Sequence, residues 1–277
     1  MRQSAGHTET EGGLRLVTRP WLPDGKPKAI LAFSHGIGEH TGRYEGLARA
    51  LAEAGYALHM ADLRGHGESP GKRGHIGSFS EYREDFAAIV QSAWDAAPEA
   101  PYFIGGHSLG GLIALNAALD QPLGARGIVV SAPALGLAFE PPAWKVAAAR
   151  ILSAIAPAAT FPSGLDTDAL CRDGDVVAAY RSDPLVHDAI SARAYTEMMA
   201  AQRETLANAG RLQMPLLLMH GTADRLTNYE HSRLFYERAG STDKLFKTYD
   251  GFYHELFNEP DKEQVFADLI EWLDAHT

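Results

Sequence analysis

Short apolar runs rich in strand-forming residues alternate with longer segments of helical period along most of this chain. Most of these runs lack the apolar-polar alternation of a half-exposed strand, as expected for strands that are buried on both faces. The pattern predicts parallel strands joined by crossover helices, which is the α/β class of fold. The predicted strands are residues 29–34, 57–61, 102–104, 127–131, 215–219 and 245–249, with an earlier edge strand near 14–17.

Three segments repeat apolar residues at steps of three and four, the spacing of one helix face. They are residues 44–54, 81–96 and 261–276. We expect these helices to flank a mostly parallel central sheet.

The segment from about residue 135 to about residue 208 does not follow the alternation of strands and helices. It shows helical patches and no convincing strand, and its prolines are Pro141, Pro142, Pro157, Pro162 and Pro184. We interpret residues 135–208 as a helical cap, or lid, inserted into an α/β core formed by residues 1–134 and 209–277.

Composition and charge narrow the range of functions. The chain has 277 residues, of which 45% are hydrophobic and 22% charged, and this suits one large globular domain with a small insertion. Its formal net charge of -10 repels phosphate backbones, so nucleic acid is not expected as a partner. The oligomeric state is left open.

The expected compartment follows from the cysteine content and the N-terminus. Cys171 is the only cysteine, so no disulfide within the chain is expected and a reducing cytoplasm is compatible. Residues 1–18 are polar and carry Glu9 and Glu11 where a signal peptide needs an apolar run, and no stretch of 18 apolar residues occurs. The sequence predicts a cytoplasmic protein, at most peripheral to a membrane.

One motif predicts a nucleophilic serine at a turn between a strand and a helix. It reads Gly106-His107-Ser108-Leu109-Gly110 and lies between a predicted strand and an apolar helical segment. A turn there raises the serine in a strained backbone, and the flanking glycines remove side chains that would clash. The following helix points its first N–H groups at the reacting centre, so Leu109 N–H is a candidate donor to an oxyanion. We predict that Ser108 is a nucleophile; the alternative is that this short pattern arose by chance.

A second oxyanion donor is expected from a glycine-rich loop that follows the first predicted parallel strand. The loop reads His35-Gly36-Ile37-Gly38-Glu39-His40. The backbone N–H of Ile37 is the first choice, and that of Gly36 is the second. The alternative is that the glycines only form a structural turn.

The acid and the base are expected from the last two predicted strands. Asp224 follows the strand 215–219, where a carboxylate can reach a histidine one loop further on. Three histidines come after it, and His231 and His276 fall in predicted helices, so His254 remains as the general base. No histidine or cysteine spacing is typical of a metal site and no phosphate-binding glycine loop follows a strand, so neither metal nor cofactor is expected.

Together these residues resemble the monoacylglycerol lipase and lysophospholipase family of α/β-hydrolases, which are serine hydrolases. The resemblance runs from about residue 29 to the C-terminus, and the cap is its least diagnostic part. The residues that carry it are His35-Gly36-Ile37-Gly38-Glu39-His40, Arg43-Tyr44, Asp62, Arg64-Gly65-His66-Gly67, the segment 106–111, His220-Gly221, Asp224 and His254-Glu255. It implies a catalytic triad of Ser108, Asp224 and His254, with oxyanion donors at Ile37 and Leu109.

The resemblance also implies a reaction, the hydrolysis of a single-chain lipid ester, most simply monoacylglycerol to glycerol and fatty acid, through an acyl-enzyme. The closest alternatives are a broad carboxylesterase or a lysophospholipase with the same triad. A serine aminopeptidase also stays open, because acidic residues in the cap offer a partner for a substrate's free amine. A further alternative is a catalytically inactive α/β-hydrolase fold that serves as a receptor for a small ligand. Such a protein usually lacks a triad member, and all three are present here.

A helix predicted at residues 144–156 carries one apolar stripe, made of Trp144, Ala147, Ala148, Ile151, Leu152 and Ile155. The stripe either roofs an acyl tunnel or makes transient contact with a membrane or micelle surface. The simpler alternative is that most of it packs the cap onto the core, with Trp144 as the best exception. The predicted substrate-binding residues are Gly36, Glu39, Trp144 and Ile151.

Overall fold

The computed structural model of the chain describes residues 1–120 and 123–277. Its strands are β1 (Arg2–Gln3), β2 (Gly6–Glu9), β3 (Arg15–Leu22), β4 (Ile30–Ser34), β5 (Ala57–Ala61), β6 (Tyr102–His107), β7 (Ile128–Ser131), β8 (Thr160–Pro162), β9 (Ala189–Ser191), β10 (Leu216–Gly221) and β11 (Lys244–Tyr249). Its helices are α1 (Glu45–Glu53), α2 (Phe79–Ala96), α3 (Leu109–Asp120), α4 (Ala143–Ile155), α5 (Gly174–Ser182), α6 (Ala192–Ala207), α7 (Tyr229–Arg238) and α8 (Glu263–His276).

The centre of the molecule is a nine-stranded sheet in the order β1-β3-β5-β4-β6-β7-β10-β11, with β2 paired to β3. The strands β4, β5, β6, β7, β10 and β11 are parallel to their neighbours in this series. The three N-terminal strands pair antiparallel. The expected α/β fold with a mostly parallel sheet is therefore confirmed.

The N-terminal part of the sheet differs from the prediction. The strand expected at the edge near 14–17 runs from Arg15 to Leu22, and β1 and β2 pair with it. Leu16 and Trp21 are buried, but Pro20 interrupts the alternation that would have marked the longer strand. The short polar strands β1 and β2 carry no apolar pattern, because they lie at the exposed margin of the sheet.

Helices cover both faces of the sheet, so alternate residues of its central strands point into two separate apolar cores. Ile30 and Ala32 of β4 belong to one core, with side chains of α2, α3, α6 and α7. Leu31 and Phe33 belong to the other, with side chains of α1 and α8. Such strands have no polar face, which is why they read as continuous apolar runs in the sequence.

Residues 135–208, which we continue to call the cap, contain α4, α5, α6 and a small antiparallel sheet of β8 and β9. The expectation that this segment has no strand is wrong. Both strands have only three residues and β8 ends at Pro162, so neither carries a usable periodic signal. Among the described residues, no helix has the length and apolar character needed to cross a membrane.

Candidate active site

Ser108 sits between the end of β6 and the start of α3 in a strained conformation. Its φ of 54° lies in the left-handed region, which is unfavourable for a residue with a side chain. Three backbone hydrogen bonds hold it there: Ser108 N–H donates to Ser131 O at 3.0 Å, and Ser108 O accepts from Leu112 N–H at 3.1 Å and Ala134 N–H at 2.9 Å. The surrounding strand and helix therefore stabilise the turn that presents the side chain.

The two glycines that flank Ser108 are required by close backbone approaches, as the sequence predicts. A Cβ on Gly106 would lie 2.2 Å from the carbonyl carbon of Gly110. A Cβ on Gly110 would lie 2.1 Å from Ser34 O on the neighbouring strand β4. Neither position has room for any other residue, so the turn depends on both glycines.

Asp224 and His254 come together because they follow β10 and β11, which are adjacent and parallel. His254 Nδ1 lies 2.7 Å from Asp224 Oδ2, and both side chains are almost completely buried. Burial alone would lower the pKa of His254, but the negative charge of Asp224 and the hydrogen bond to it raise that pKa. Burial alone would raise the pKa of Asp224. The charge of His254 and the hydrogen bonds from His220 and His254 instead hold the pKa of Asp224 well below its usual value.

Asp224 accepts hydrogen bonds on both oxygens. Oδ1 accepts from Leu226 N–H at 2.7 Å and Thr227 N–H at 3.0 Å, while Oδ2 accepts from Thr227 Oγ1 at 2.7 Å and lies 3.1 Å from His220 Nε2. The carboxylate is thus fixed in one orientation toward His254. Thr227 and His220 were not predicted as partners of Asp224, although both lie within four residues of it.

His254 is also placed close to the nucleophile turn. The ring of His107, the residue before Ser108, packs on the His254 ring with 4.6 Å between centroids. Because His254 directs Nδ1 to Asp224, its Nε2 remains to take a proton from a nucleophile. Within residues 1–120 and 123–277, Ser108 Oγ and His254 form no hydrogen bond; in unliganded hydrolases this bond often closes only when substrate binds.

The loop after β4 supplies the other side of the site. A Cβ on Gly36 would lie 3.2 Å from Ser108 Cβ, so this loop touches the nucleophile. Gly36 N–H donates to Glu39 Oε1 at 2.6 Å and is therefore occupied. In the part of the chain that the structure describes, Ile37 N–H has no acceptor, and Leu109 opens α3, where the first N–H groups have no helical acceptor. The geometry favours Ile37 over Gly36 as the partner of Leu109.

Glu39 holds this loop in place and faces protein groups instead of a ligand. Besides Gly36 N–H, its carboxylate accepts from Tyr44 OH at 2.7 Å and Arg43 Nη1 at 2.9 Å. Burial alone would raise the pKa of Glu39, but the charge of Arg43 lowers it to about 2. Arg43 also donates two hydrogen bonds to Glu255, at 2.5 and 2.7 Å. One guanidinium thus joins the Gly36 loop to the residue that follows His254, a link the sequence analysis did not identify.

The cap packs directly on the Gly36 loop. His187 N–H donates to Gly38 O at 2.9 Å, and His40 Nε2 lies 2.9 Å from Asp183 Oδ2. The ring of Tyr180 on α5 lies 4.6 Å from the guanidinium carbon of Arg43. The cap therefore contacts the loop that carries the candidate oxyanion donor.

Two of the predicted substrate-binding residues, Trp144 and Ile151, do not line the site around Ser108. Trp144 and Ile151 are 69% and 62% exposed on the outer face of α4. Trp144 was the expected exception to packing on the core, but the expectation that most of the stripe packs there is wrong for Ile151 and Ile155, because α4 turns Ala149 and Ser153 inward. Ser153 Oγ lies 2.9 Å from Thr196 Oγ1 of α6, so a polar contact helps to set the helix's orientation.

Comparison with known proteins agrees with this geometry. A family model described as serine aminopeptidase, S33, matches residues 25–261. A monoacylglycerol lipase of Mycolicibacterium smegmatis is 38% identical, over 96% of this chain and 95% of the relative. The phospholipase YtpA of Bacillus subtilis is 34% identical, over 92% and 98%. The crystal structure of a Paleococcus ferrophilus monoacylglycerol lipase superposes with a TM-score of 0.85 at 37% identity, over 95% and 99%. This chain belongs to the monoacylglycerol lipase and lysophospholipase family of α/β-hydrolases, within the group described as S33 serine aminopeptidases.

Proposed function

We propose that this protein hydrolyses carboxylic esters of single-chain lipids, with monoacylglycerol as its substrate and glycerol and fatty acid as its products. The observation that carries the proposal is a strained Ser108 whose neighbour His107 packs on a buried His254, and this His254 is oriented by Asp224. Relatives that match almost the whole chain bear the name monoacylglycerol lipase, which supports this substrate over other esters.

The proposed reaction has two halves. Ser108 Oγ attacks the ester carbonyl carbon while His254 Nε2 takes the hydroxyl proton, and Asp224 stabilises the imidazolium that forms. The N–H groups of Ile37 and Leu109 donate to the developing oxyanion. The tetrahedral intermediate collapses as His254 returns the proton to the glycerol oxygen, and water then hydrolyses the acyl-enzyme by the same steps.

A neutral headgroup fits the described charges better than a phosphate does. Arg43, the cation beside Glu39 and Glu255, donates to both carboxylates and is almost buried. A headgroup phosphate could recruit it only by breaking these pairs, and that would leave buried carboxylates unpaired. Lysophospholipid hydrolysis therefore remains the second candidate, supported by the relative that is named a phospholipase.

The acidic residues of the cap do not favour an aminopeptidase. Asp166 and Asp173 accept hydrogen bonds from the backbone N–H groups of Asp168 and Asp175, as helix-capping residues do. Asp168 also pairs with Arg181 at 2.9 Å on the surface. These carboxylates are thus used in local structure, and we place amide substrates last.

We also propose that the cap contacts lipid surfaces. The outer face of the cap exposes Phe139, Trp144, Ile151 and Ile155, of which the last is 74% exposed. Exposed aromatic and aliphatic side chains on an amphipathic helix are typical of interfacial binding. Substrates that dissolve poorly in water would be drawn from a membrane or micelle at this face.

The proposal is tested by kcat/KM for 1-monoacylglycerols of increasing chain length, beside matched lysophospholipids and amino acid amides. We expect monoacylglycerols to be preferred, with a gain of at most about fourfold for each buried CH₂, which is worth about 0.8 kcal/mol. Equal turnover of short esters would indicate a general esterase, and turnover of amides alone would overturn the proposal. Ser108→Ala should keep the fold and lose activity by about 10⁶-fold.

A further inference from the structure

A second imidazole contacts the carboxylate that orients His254. His220 is the fifth residue of β10 and is completely buried. Its Nε2 lies 3.1 Å from Asp224 Oδ2, the same oxygen that lies 2.7 Å from His254 Nδ1. Two histidines therefore share one oxygen of the candidate catalytic acid, and the proposed mechanism uses only one of them.

The tautomer of His220 follows from its two partners. Asp224 is ionised and can only accept, so His220 must carry its proton on Nε2. In the neutral imidazole Nδ1 then carries no proton, and it lies 2.9 Å from Ser232 Oγ, whose hydroxyl donates to it. Ser232 is completely buried on α7, and the Tyr229 ring packs edge-on against the imidazole at 5.6 Å. Helix α7 thus holds the imidazole in one position, and Asp224 sets its tautomer.

The Nε2–H group of His220 competes with His254 for the negative charge on the Asp224 carboxylate. Thr227 Oγ1 lies 2.7 Å from Oδ2 as well, so three donors surround one oxygen that has two lone pairs. Thr227 has a second acceptor in Ala132 O at 3.3 Å, but among the described residues His220 Nε2 has only Asp224 and the distant Thr227 hydroxyl at 3.4 Å. Asp224 is therefore the main acceptor for His220, and this hydrogen bond is the one in the cluster that has no good substitute.

We infer that His220 is a positioning residue for the reaction, and that Ser232 holds its ring through the contact with Nδ1: together they hold Asp224 and limit the negative charge that Asp224 presents to His254. The inference rests on the proposed function, because it assigns His220 a role through the triad. Loss of this donor would concentrate the charge of Asp224 on His254 and make His254 more basic. It would also free the carboxylate to rotate away from the base.

Three variants separate this role from simple packing. His220→Leu fills the space and removes the donor. His220→Gln is the matched control, since a glutamine Nε2 lies the same number of bonds from the backbone as a histidine Nε2. Ser232→Ala removes one oxygen and with it the hydrogen bond at His220 Nδ1, and it leaves the imidazole in place. For each, kcat and KM are measured on a water-soluble short-chain ester across a pH series, with thermal unfolding at each pH.

We expect His220→Leu to lower kcat by about 10- to 100-fold, the effect of losing one hydrogen bond to a charged group, with little change in KM. The acid limb of kcat/KM should move to higher pH, because a more basic His254 becomes protonated earlier on acidification. His220→Gln should keep the parent's acid limb. Ser232→Ala should move the acid limb in the same direction as His220→Leu, by a smaller amount.

A folded His220→Leu protein with the parent's acid limb would overturn the inference, whatever its kcat, because packing alone would then explain the residue. If that variant does not fold, Ser232→Ala decides, and an unmoved acid limb again overturns the inference. The parent and Ser108→Ala are assayed beside them. Ester turnover by the parent that Ser108→Ala lacks keeps the proposed function intact even where the role of His220 fails.

Discussion

Gly36 and Ser108 are in direct contact: a Cβ on Gly36 would lie 3.2 Å from Ser108 Cβ and 2.9 Å from Glu39 Oε1. The loop that carries the candidate oxyanion donor and the turn that carries the candidate nucleophile are therefore packed against each other without room for one methyl group. The distance between the Ile37 N–H group and the reacting serine depends on this contact.

Replacing Gly36 with alanine should damage catalysis more than stability. The added methyl group pushes the loop away from Ser108 and Glu39, so Ile37 N–H no longer meets the oxyanion. We expect kcat to fall by about 10²- to 10³-fold, as when one oxyanion donor is lost. Gly46→Ala is the control, since a Cβ there would meet no atom of the described residues within 4 Å. Parent-like kcat in Gly36→Ala would contradict the placement of the donor.

Asp224→Asn should test the orientation of the base. An asparagine can offer its amide N–H where Asp224 Oδ2 now accepts, and His254 then turns or changes tautomer. We expect kcat to fall by about 10⁴-fold, as in serine proteases with this change, while the fold is kept. The control is Asp250→Asn, which alters an exposed carboxylate that contacts Thr222 in the neighbouring loop. A loss below about tenfold would argue against Asp224 as the acid.

Arg43→Met should destabilise the protein strongly. It leaves Glu39 and Glu255 as buried carboxylates without their cation, and removing one partner of a buried ion pair costs about 3–5 kcal/mol. Arg49→Met on the same stretch of chain is the control, because its pair with Glu45 is more than half exposed and worth about 0–1 kcal/mol. Urea unfolding measures the free energy of unfolding of both variants. Equal decreases in the two would show that the buried cluster contributes no more to stability than the exposed pair.

Most of the parallel strands that sequence reasoning found are buried along their whole length. All five residues of Ile30–Ser34 are buried, and a strand of this kind is visible as an apolar run. The candidate triad was predictable for a related reason, since each member follows the carboxyl end of a parallel strand. By contrast, β8 and β9 are defined only by their pairing with each other, which no local pattern reveals.

The remaining site contacts could not be predicted, because they join distant parts of the chain. Arg43 and Glu255 are separated by 212 positions, and although both belong to motifs of the family resemblance, neither motif shows that they pair. The inward face of α4 was misjudged for a similar reason. Its apolar residues surround much of the helix, so its orientation depends on the contact with α6 and not on its own periodicity.

The exposed face of α4 should affect turnover at lipid surfaces only. We expect Trp144→Ser combined with Ile151→Ser and Ile155→Ser to keep the melting temperature, since all three side chains face solvent. Hydrolysis of a long-chain monoacylglycerol in vesicles should fall by about tenfold or more, from the loss of apolar area inserted into the lipid. Hydrolysis of a dissolved short-chain ester should not change. Trp94→Ser, at an exposed tryptophan on α2, is the control, and an equal loss there would remove the cap's special role.

His59 should make the folded state sensitive to acid. Burial lowers its pKa to about 4 from an ordinary value of 6.5, and its Nδ1 is buried without a partner in the described structure while Nε2 lies 3.1 Å from Ser92 Oγ. The unfolded chain therefore binds a proton at a pH where the folded protein does not, so stability is complete above about pH 6.5 and is lost as the pH falls toward 4.

His59→Gln removes this proton uptake, so its free energy of unfolding should fall less on acidification than the parent's. We expect the difference between the two proteins to change by about 2 kcal/mol between pH 7 and pH 5, in favour of the variant. Urea unfolding at several pH values measures it, and His7→Gln, at an exposed position, is the control. Parallel losses in parent and His59→Gln would mean that His59 binds its proton equally in the folded and unfolded states, and the source of acid sensitivity would then lie in other buried groups.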